Sequence, residues 1–501
     1  MDNYYLMYVN GEFRDTSSGE KITVLNPATE EVVGSCVKAT KEEAEEAIQH
    51  ARIAFDNGSW SGLKASQRAS YLYQIADKLE ERIDALTKLH VQESGSTIIK
   101  AKGEIHSSVR TIRHFAKLCQ TDYHYEAITP NEEAISFSYN FIEREPIGVC
   151  AGIVPWNFPF SLAIWKIAPA LATGNTIIVK PASETPLTML ELAKIVDEVG
   201  LPKGVLNIIP GSGAVIGETL AEHPQIDKIA FTGSTVVGKR VMELASTNVK
   251  IVTLELGGKS ANIILDDANL EVAIDGALFG TFYHSGQVCE SGTRLLVQES
   301  IYDEVINKLV ERAKMIKVGD PFQPQSGMGP VISRKQRDQI EEYIRIGKEE
   351  GARLVLGGER PTGSIFEKGF WIMPTIFADV KNDMRIAQEE IFGPVLSVIK
   401  FKTDDEAVQI ANDTIYGLAG GVWSKNNKRA VSVAKRMRTG TVWINAYHLL
   451  ADTAPFGGYK QSGIGRELGI QGLLAYTQTK HIHVDLDQST SRYKILLPEK
   501  E

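Results

Sequence analysis

Residues 147–180 read IGVCAGIVPWNFPFSLAIWKIAPALATGNTIIVK, and their pattern decides the fold. Two short runs rich in β-branched residues, IGVCAGIV and NTIIVK, flank an apolar stretch of helix length over residues 160–171. A strand, a helix and a strand of these lengths make a βαβ unit, with a right-handed crossover and parallel strands. The alternation continues through a helical pattern at 187–199, VLNIIP, a second at 215–222, KIAF, a third at 236–245, and IVTLEL. Strands and helices so connected predict an α/β fold built on a Rossmann-like parallel sheet. Farther on, RLLVQ, RLVLGG, PVLSVIKF, LAGGVW and TVWIN alternate with helical patterns near 302–315, 336–350, 405–412 and 428–437, which predicts a second α/β domain.

The flanking segments read differently. Thr40-Lys-Glu-Glu43 is a capping box, followed by Ala44, Ala47, Ile48, Ala51 and Phe55 on one helical face. A single longer helix is predicted over residues 66–93. The stretch DYHYEAITPNEEAISFSYNFIEREP, ending at Pro146, alternates about a turn at Pro130-Asn131 and reads as a hairpin. KHIHVDLD near the C-terminus alternates too. Two such pieces outside the main domains predict strands that pair with another subunit. His481 and His483 have no further clustered ligands and read as edge-strand residues, so no metal is expected.

A chain of 501 residues is long enough for two or three domains. Its net charge of -9 argues against nucleic acid or an anionic membrane as partner, because both attract basic surfaces. The uncharged run at 146–165 has bilayer length, but Pro146, Pro155 and Pro159 break it, and a broken helix leaves its backbone unsatisfied in lipid. The first residues, with Asp2 and no basic region, do not read as a signal peptide. Four irregularly spaced cysteines form no disulfide framework, and a reducing cytoplasm is the expected compartment.

Ligands of open parallel sheets bind beyond the carboxyl ends of the strands. Here those ends carry Pro155-Trp156-Asn157, Lys180, Gly211-Ser-Gly213, Thr232-Gly233-Ser234 and Glu255-Leu-Gly257-Gly258. Gly211-x-Gly213-x-x-x-Gly217 misses the dinucleotide fingerprint spacing by one residue, yet a glycine turn opening a helix still offers N–H groups to an anion. Glu255 follows the apolar IVTL, where a carboxylate is either a strand-end ion pair or a base whose pKa burial has raised. Cys36, Cys119 and Cys150 fall in strand- or helix-like runs. Cys289 instead sits in SGQVCESG, a polar setting in which a thiol can ionise, and reads as a nucleophile or as an inert loop cysteine.

These residues belong to longer motifs: PWNFP at 155–159, KPASETPLT from Lys180, FTGST from Phe231, LELGGKS from Leu254, GQVC ending at Cys289, EEIFGP from Glu389 and PFGGYKQSG from Pro455. In that order the chain resembles the aldehyde dehydrogenase superfamily over nearly its whole length. The resemblance implies that Cys289 attacks an aldehyde carbonyl, that Asn157 and the Cys289 N–H hold the oxyanion, and that Glu255 activates the water that releases the acid. It links Lys166 and Glu467 to proton exit. Lys180, Gly213, Gly217 and Ser234 match cofactor-contacting positions, with Glu390 and Phe392 at the nicotinamide ribose and ring. Ile153, Pro155, Trp156, Ser183, Phe231, Gly233, Val237, Leu256 and Gln336 complete the implied cofactor set. The implied division is a dinucleotide-binding domain of residues 1–123 and 147–257 plus about 458–477, a catalytic domain of 258–457, and an oligomerisation hairpin and tail of 124–146 and 478–501. A homodimer or homotetramer is expected.

Two residues bear on specificity. Many strictly NAD-dependent members carry glutamate at the position of Ser183, three residues after Lys180. Serine removes its repulsion of a 2′-phosphate, and Lys180 can pair with one, so both NAD and NADP are expected. Glu290, directly after the nucleophile, either raises the thiol pKa or faces substrate. Phe158, Trp165, Phe282, Trp443, Tyr447 and Phe456 are candidates for an aromatic tunnel taking aliphatic, aromatic or long-chain aldehydes. Two alternatives stand beside this reading: a CoA-acylating aldehyde dehydrogenase, against which the water-activating Glu255 argues, and a non-catalytic nucleotide-binding scaffold.

Overall fold

The structure, a computed structural model, describes residues 3–128 and 138–486. The five predicted strands form one parallel array in the spatial order Ile251–Glu255, Lys228–Thr232, Val149–Ile153, Thr176–Lys180, Leu206–Ile208. In chain order this is 5-4-1-2-3, so the order reverses between the first strand, Val149–Ile153, and the fourth, Lys228–Thr232. A crevice opens at such a reversal, beyond the carboxyl ends. Pro155-Trp156-Asn157 and Gly233-Ser234 stand there. Gly463–Ile464 and Met7–Val9 extend the sheet antiparallel at its two edges.

Helix Pro159–Ala172 follows the first strand and has every residue buried. Its apolar surface all round suits a helix enclosed on both sides, here by the sheet and by helix Ile98–Leu118. Proline occupies its first turn, where the missing N–H costs nothing. The Thr40 capping box forms as read, with Glu43 N–H donating to Thr40 Oγ1 and Thr40 N–H to Glu43 Oε2.

The second sheet orders its strands as Arg353–Leu356, Thr375–Ala378, Val395–Phe401, Arg294–Gln298, Ala261–Ile264, Ala419–Trp423, Thr441–Ile444. All pair in parallel except the first. Ala261–Ile264, Thr375–Ala378 and helix Leu270–Phe282 were not legible as elements, being too short or too uniformly apolar to show a period.

One expectation is corrected, and two features go beyond the reading. The helix read over 66–93 is two helices, Ala65–Glu81 and Ile83–Ser94, because Arg82 leaves helical geometry at φ -111°, ψ 9° and pairs with Glu198. Residues before the first helix form strands, among them Lys21–Leu25 paired with Val32–Val37. The tail strand Thr477–Asp485 pairs along its full length with Ser138–Pro146 of the same chain, since Thr477 and Pro146 leave the first domain side by side. Tyr125–Ile128 completes that three-stranded sheet. The turn predicted at Pro130-Asn131 and residues 487–501 of the tail lie outside the described residues.

Candidate active site

Cys289 lies on the loop after helix Leu270–Phe282. Three successive residues there, His284, Ser285 and Gly286, hold φ of 51°, 57° and 73°. Left-handed backbone at two non-glycine residues costs of order 1–3 kcal/mol each and persists only where surroundings enforce it. They do so here. Ser285 Oγ donates to Gly329 O at 2.8 Å, and Gln287 Oε1 accepts from Ile332 N at 2.9 Å. Asn157 Nδ2 donates to Gln287 O at 3.0 Å, which fixes the amide beside the nucleophile loop.

The two glycines of LELGGKS now have separate reasons. A Cβ on Gly257 would lie 2.2 Å from Glu390 Oε2, and one on Gly258 would lie 2.4 Å from the Cys289 backbone oxygen. The first lets a carboxylate close in; the second lets the nucleophile loop pack on the end of the fifth strand.

Cys289 stands where two cavities meet. One, of about 430 Å³, is lined by Pro155, Trp156, Asn157, Gly233, Ser234, Glu255, Leu256, Gln336, Glu390 and Phe392, all expected from the sequence. Gln336 Nε2 donates to Ile391 O and Phe392 O, holding Phe392 at φ 57° and edge-on to Trp156, with centroids 5.3 Å apart. Burial pushes the Glu390 carboxyl up to about 7, even with Gly258 N–H donating to it at 3.1 Å. Phe231 packs beneath Gly233, and Val237 is exposed with its N–H donating to the capping Ser234 Oγ.

Ile153, Lys180 and Gly217 gather at the neighbouring strand ends: a Cβ on Gly217 would lie 3.7 Å from Ile153 Cδ1 and 3.9 Å from Lys180 Cδ. Gly213 opens the short turn capped by Ser212 and has open space where a side chain would go. Lys180 is buried and donates to Pro181 O at 2.8 Å; burial lowers its pKa to about 8, opposed by Glu184. Ser183 Oγ donates to Gly211 O at 3.4 Å. These residues do not line the cavity at Cys289.

The second cavity, of about 260 Å³, is walled by Phe158, Leu162, Trp165, Tyr283, Leu450 and Phe456, with Glu290 and His448 beside Cys289. Phe282, Tyr447 and Trp443 are not on this wall. All three are buried in the core behind it, and Tyr447 Oη donates to Glu290 O. For Phe282 and Tyr447 the wall residues are the next ones along the chain, Tyr283 and His448. The shift by one follows from backbone turns, with His284 and His448 both left-handed. Helix Ile98–Leu118 adds Gly103, Glu104, Ser107 and Arg110, which sequence reading missed. Their spacing of one, three and three puts them on one helical face, and that spacing of small and polar residues was the available signal. In the first cavity Gln339, Tyr343, Glu389 and Tyr416 were missed likewise.

Glu255 is buried, and neither carboxylate oxygen has a hydrogen-bond partner among the described residues. Burial raises its pKa well above the ordinary value, and Glu467 adds to this against Lys166 and Arg466. Lys166 Nζ reaches Glu467 Oε1 at 2.6 Å and Thr232 Oγ1 at 2.7 Å. Cys289 Sγ donates to Glu290 Oε2 at 3.1 Å. Burial and then the Glu290 charge push the thiol pKa well up. Both roles weighed for Glu290 are therefore compatible with its position. His481 and His483 each reach Asn140 Oδ1, at 2.9 and 2.8 Å.

A family model described as "Aldehyde dehydrogenase family" matches residues 13–482. Betaine aldehyde dehydrogenase of Bacillus subtilis (strain 168) is 45% identical over 477 residues, covering 95% of this chain and 96% of that protein. Aldehyde dehydrogenase 1A1 of Rattus norvegicus is 44% identical over 488 residues, 97% of this chain and 96% of that one. A crystal structure of betaine aldehyde dehydrogenase from Staphylococcus aureus in complex with NAD+ superposes with a TM-score of 0.94 at 42% identity, covering 97% of this chain and 96% of that chain.

Proposed function

The chain belongs to the aldehyde dehydrogenase family, and on that premise we propose that it oxidises an aldehyde to its carboxylic acid, with NAD or NADP as acceptor and Cys289 as nucleophile. One observation carries this reading: Cys289 is shared by a cavity with glycine and carboxylate walls and a cavity with aromatic walls. The residues present fit a nicotinamide dinucleotide. Glu390 is half-buried and closes against Gly257 with one oxygen beyond its bond to Gly258, and Lys180 is a buried ammonium whose bonded partner is a backbone carbonyl. When bound, the nicotinamide supplies the acceptor for the aldehyde hydride.

Cys289 forms the bond to the carbonyl carbon. Asn157 Nδ2 has a second hydrogen, beyond the one given to Gln287 O, for the developing oxyanion. Such a donor is worth roughly 3 kcal/mol. Glu255, buried and unbonded, is the base for the water that cleaves the thioester, and its raised pKa keeps it a competent proton acceptor. Lys166 and Glu467 carry that proton away. Ser183 leaves room for a 2′-phosphate beside Lys180, which supports use of NADP as well as NAD. We assign residues 1–123, 147–257 and about 458–477 to cofactor binding, 258–457 to catalysis, and 124–146 with 478–501 to homo-oligomer contacts. Four free thiols fit a reducing cytoplasm, and no helix among the described residues is long and apolar enough to cross a membrane.

The wall of Phe158, Leu162, Trp165, Leu450 and Phe456 favours apolar aldehydes. A second substrate reading has its own support: aromatic faces near the Glu290 carboxylate suit a cationic aldehyde, and a relative is named betaine aldehyde dehydrogenase. The test is NAD(P)H absorbance with propanal, hexanal, benzaldehyde and betaine aldehyde. Turnover should vanish in Cys289→Ala, and coenzyme A should not accelerate it. Silence of the wild type with bound cofactor would favour the scaffold, and acceleration by coenzyme A the acyl-transfer enzyme.

A further inference from the structure

The mechanism above leaves one proton unassigned, the one on the Cys289 sulfur. Among the described residues Glu290 is the hydrogen-bond acceptor of Sγ, through Oε2 at 3.1 Å. Its other oxygen, Oε1, lies 3.2 Å from His448 Nδ1, and His448 Nε2 lies 3.2 Å from Gly280 O. A carbonyl oxygen only accepts, so Nε2 carries a hydrogen. Nδ1 and Oε1 would then oppose lone pairs unless a proton stands between them, so one proton is shared by this pair and orients the carboxylate. Both side chains are buried, at 4% and 8% exposure, so the geometry is not a surface accident. Tyr447 Oη holds the Glu290 backbone from behind at 2.8 Å.

We propose that Glu290, held by His448, is the base that takes the Cys289 proton during attack on the carbonyl, leaving Glu255 free for the water. This rests on Cys289 being the nucleophile as read above. In the attack the Sγ–H bond breaks and its proton passes to Glu290 Oε2. The sulfur pair forms the Sγ–C bond, and the carbonyl π pair moves onto oxygen. When water later cleaves the thioester, sulfur leaves with its bonding pair and takes the proton back from Oε2, so the cycle closes without another reactant. A base must lie within hydrogen-bond reach of the proton it removes, and Oε2 does. Glu255 does not meet this condition, since neither of its oxygens has a bonded partner. Glu104, Arg110 and Tyr283 line the same cavity, and Glu255 and Glu390 act on the sulfur from the other side.

The arrangement has a second consequence that makes it testable. The carboxylate keeps the resting thiol protonated, because burial and the Glu290 charge both raise its pKa. Removing that charge should therefore free more thiolate while removing the base. Two cofactor-free probes separate these effects: iodoacetamide reports thiolate, and p-nitrophenyl acetate reports acylation through its p-nitrophenolate burst. In Glu290→Gln the burst should slow about 100-fold, while alkylation is unchanged or faster. A burst within threefold of wild type, or a burst that rises together with alkylation, overturns the assignment. Should Glu290→Gln fail to fold, Glu290→Ala with added formate takes its place: saturable restoration of the burst by this small carboxylate supports the base, and no restoration refutes it. If instead Cys289→Ala keeps the burst, the nucleophile itself is misassigned, and that outcome is distinct from both.

Discussion

Lys166 Nζ lies 2.6 Å from Glu467 Oε1 in a pair that is almost fully buried, and both charges act on Glu255. The sign of each effect is fixed. Burial and Glu467 raise the Glu255 pKa, and Lys166 lowers it. Glu467→Gln removes a raising charge and leaves Lys166 unneutralised, so Glu255 should ionise at lower pH. A base works as its anion, so the rise of the hydrolysis rate with pH should move down by about one pH unit. Single-turnover release of acid across pH measures this. An unmoved profile would separate Glu467 from the base.

Lys180 supplies the second prediction. Burial lowers its pKa to about 8, so its charge is lost as pH rises through that value. A 2′-phosphate needs that charge more than ribose hydroxyls do. KM for NADP should climb above pH 8 while KM for NAD changes little; a charge-assisted bond of ~2 kcal/mol corresponds to roughly 30-fold. Ser183→Glu, placed where serine now donates to Gly211 O, should lose NADP use at every pH while keeping NAD. Equal pH dependence for both cofactors would remove Lys180 from phosphate recognition.

The parallel sheet was legible because its strands are buried on both faces and read as unbroken apolar runs, as in TIIVK with every residue buried. Glu255 was legible because its charge conflicts with the apolar IVTL before it, Cys289 because its neighbours are polar, and Asn157 because it stands just past a strand's carboxyl end. The wall of the second cavity was not. Phe282 and Tyr283 are both aromatic, and only the backbone turn through His284 and Ser285 decides which one faces the cavity. Helix Ile98–Leu118 was hidden for a different reason: its contribution depends on packing against Pro159–Ala172, a contact between elements distant in sequence. Local pattern sets elements, while the identity of a wall residue is set by φ at one or two turns.

Gly257 and Gly258 allow a paired prediction. Alanine at 257 meets Glu390 Oε2, the free end of a side chain, which can swing away. The protein should fold, Cys289 alkylation should change by less than about threefold, and KM for NAD should rise about tenfold or more with loss of a charge-assisted contact. Alanine at 258 meets the backbone oxygen of Cys289, which cannot move without moving the nucleophile. That variant should lose acylation and thermal stability together. Equal damage from both substitutions would contradict the separate roles.

The last prediction concerns Lys100, Glu104 and His90, a buried charged cluster beneath the oxyanion loop. Lys100 Nζ lies 2.5 Å from Glu104 Oε2 and donates to Asn157 O at 2.8 Å, while Glu104 Oε1 accepts from Phe160 N and Ser161 N at 3.0 and 3.1 Å. Burial alone would raise the Glu104 pKa, but Lys100 and His90 outweigh it and hold the carboxyl far below its usual range. The unfolded chain therefore binds this proton first, and the stability Glu104 supplies is present above about pH 4.3 and lost as pH falls below it. His90 works in the same direction: burial lowers its pKa, so acidification below about 6.5 already favours the unfolded chain. The melting temperature should begin to fall near pH 6.5 and fall more steeply below about 4.3. Glu104→Gln strands the Lys100 ammonium in the interior, at a cost of about 3–5 kcal/mol at neutral pH, and removing Lys100 as well should restore part of the loss. Activity should not return with stability, because the bond from Lys100 to the Asn157 carbonyl is gone in the double variant. Recovery of both together would mean that this cluster only supports the fold and does not position the oxyanion donor.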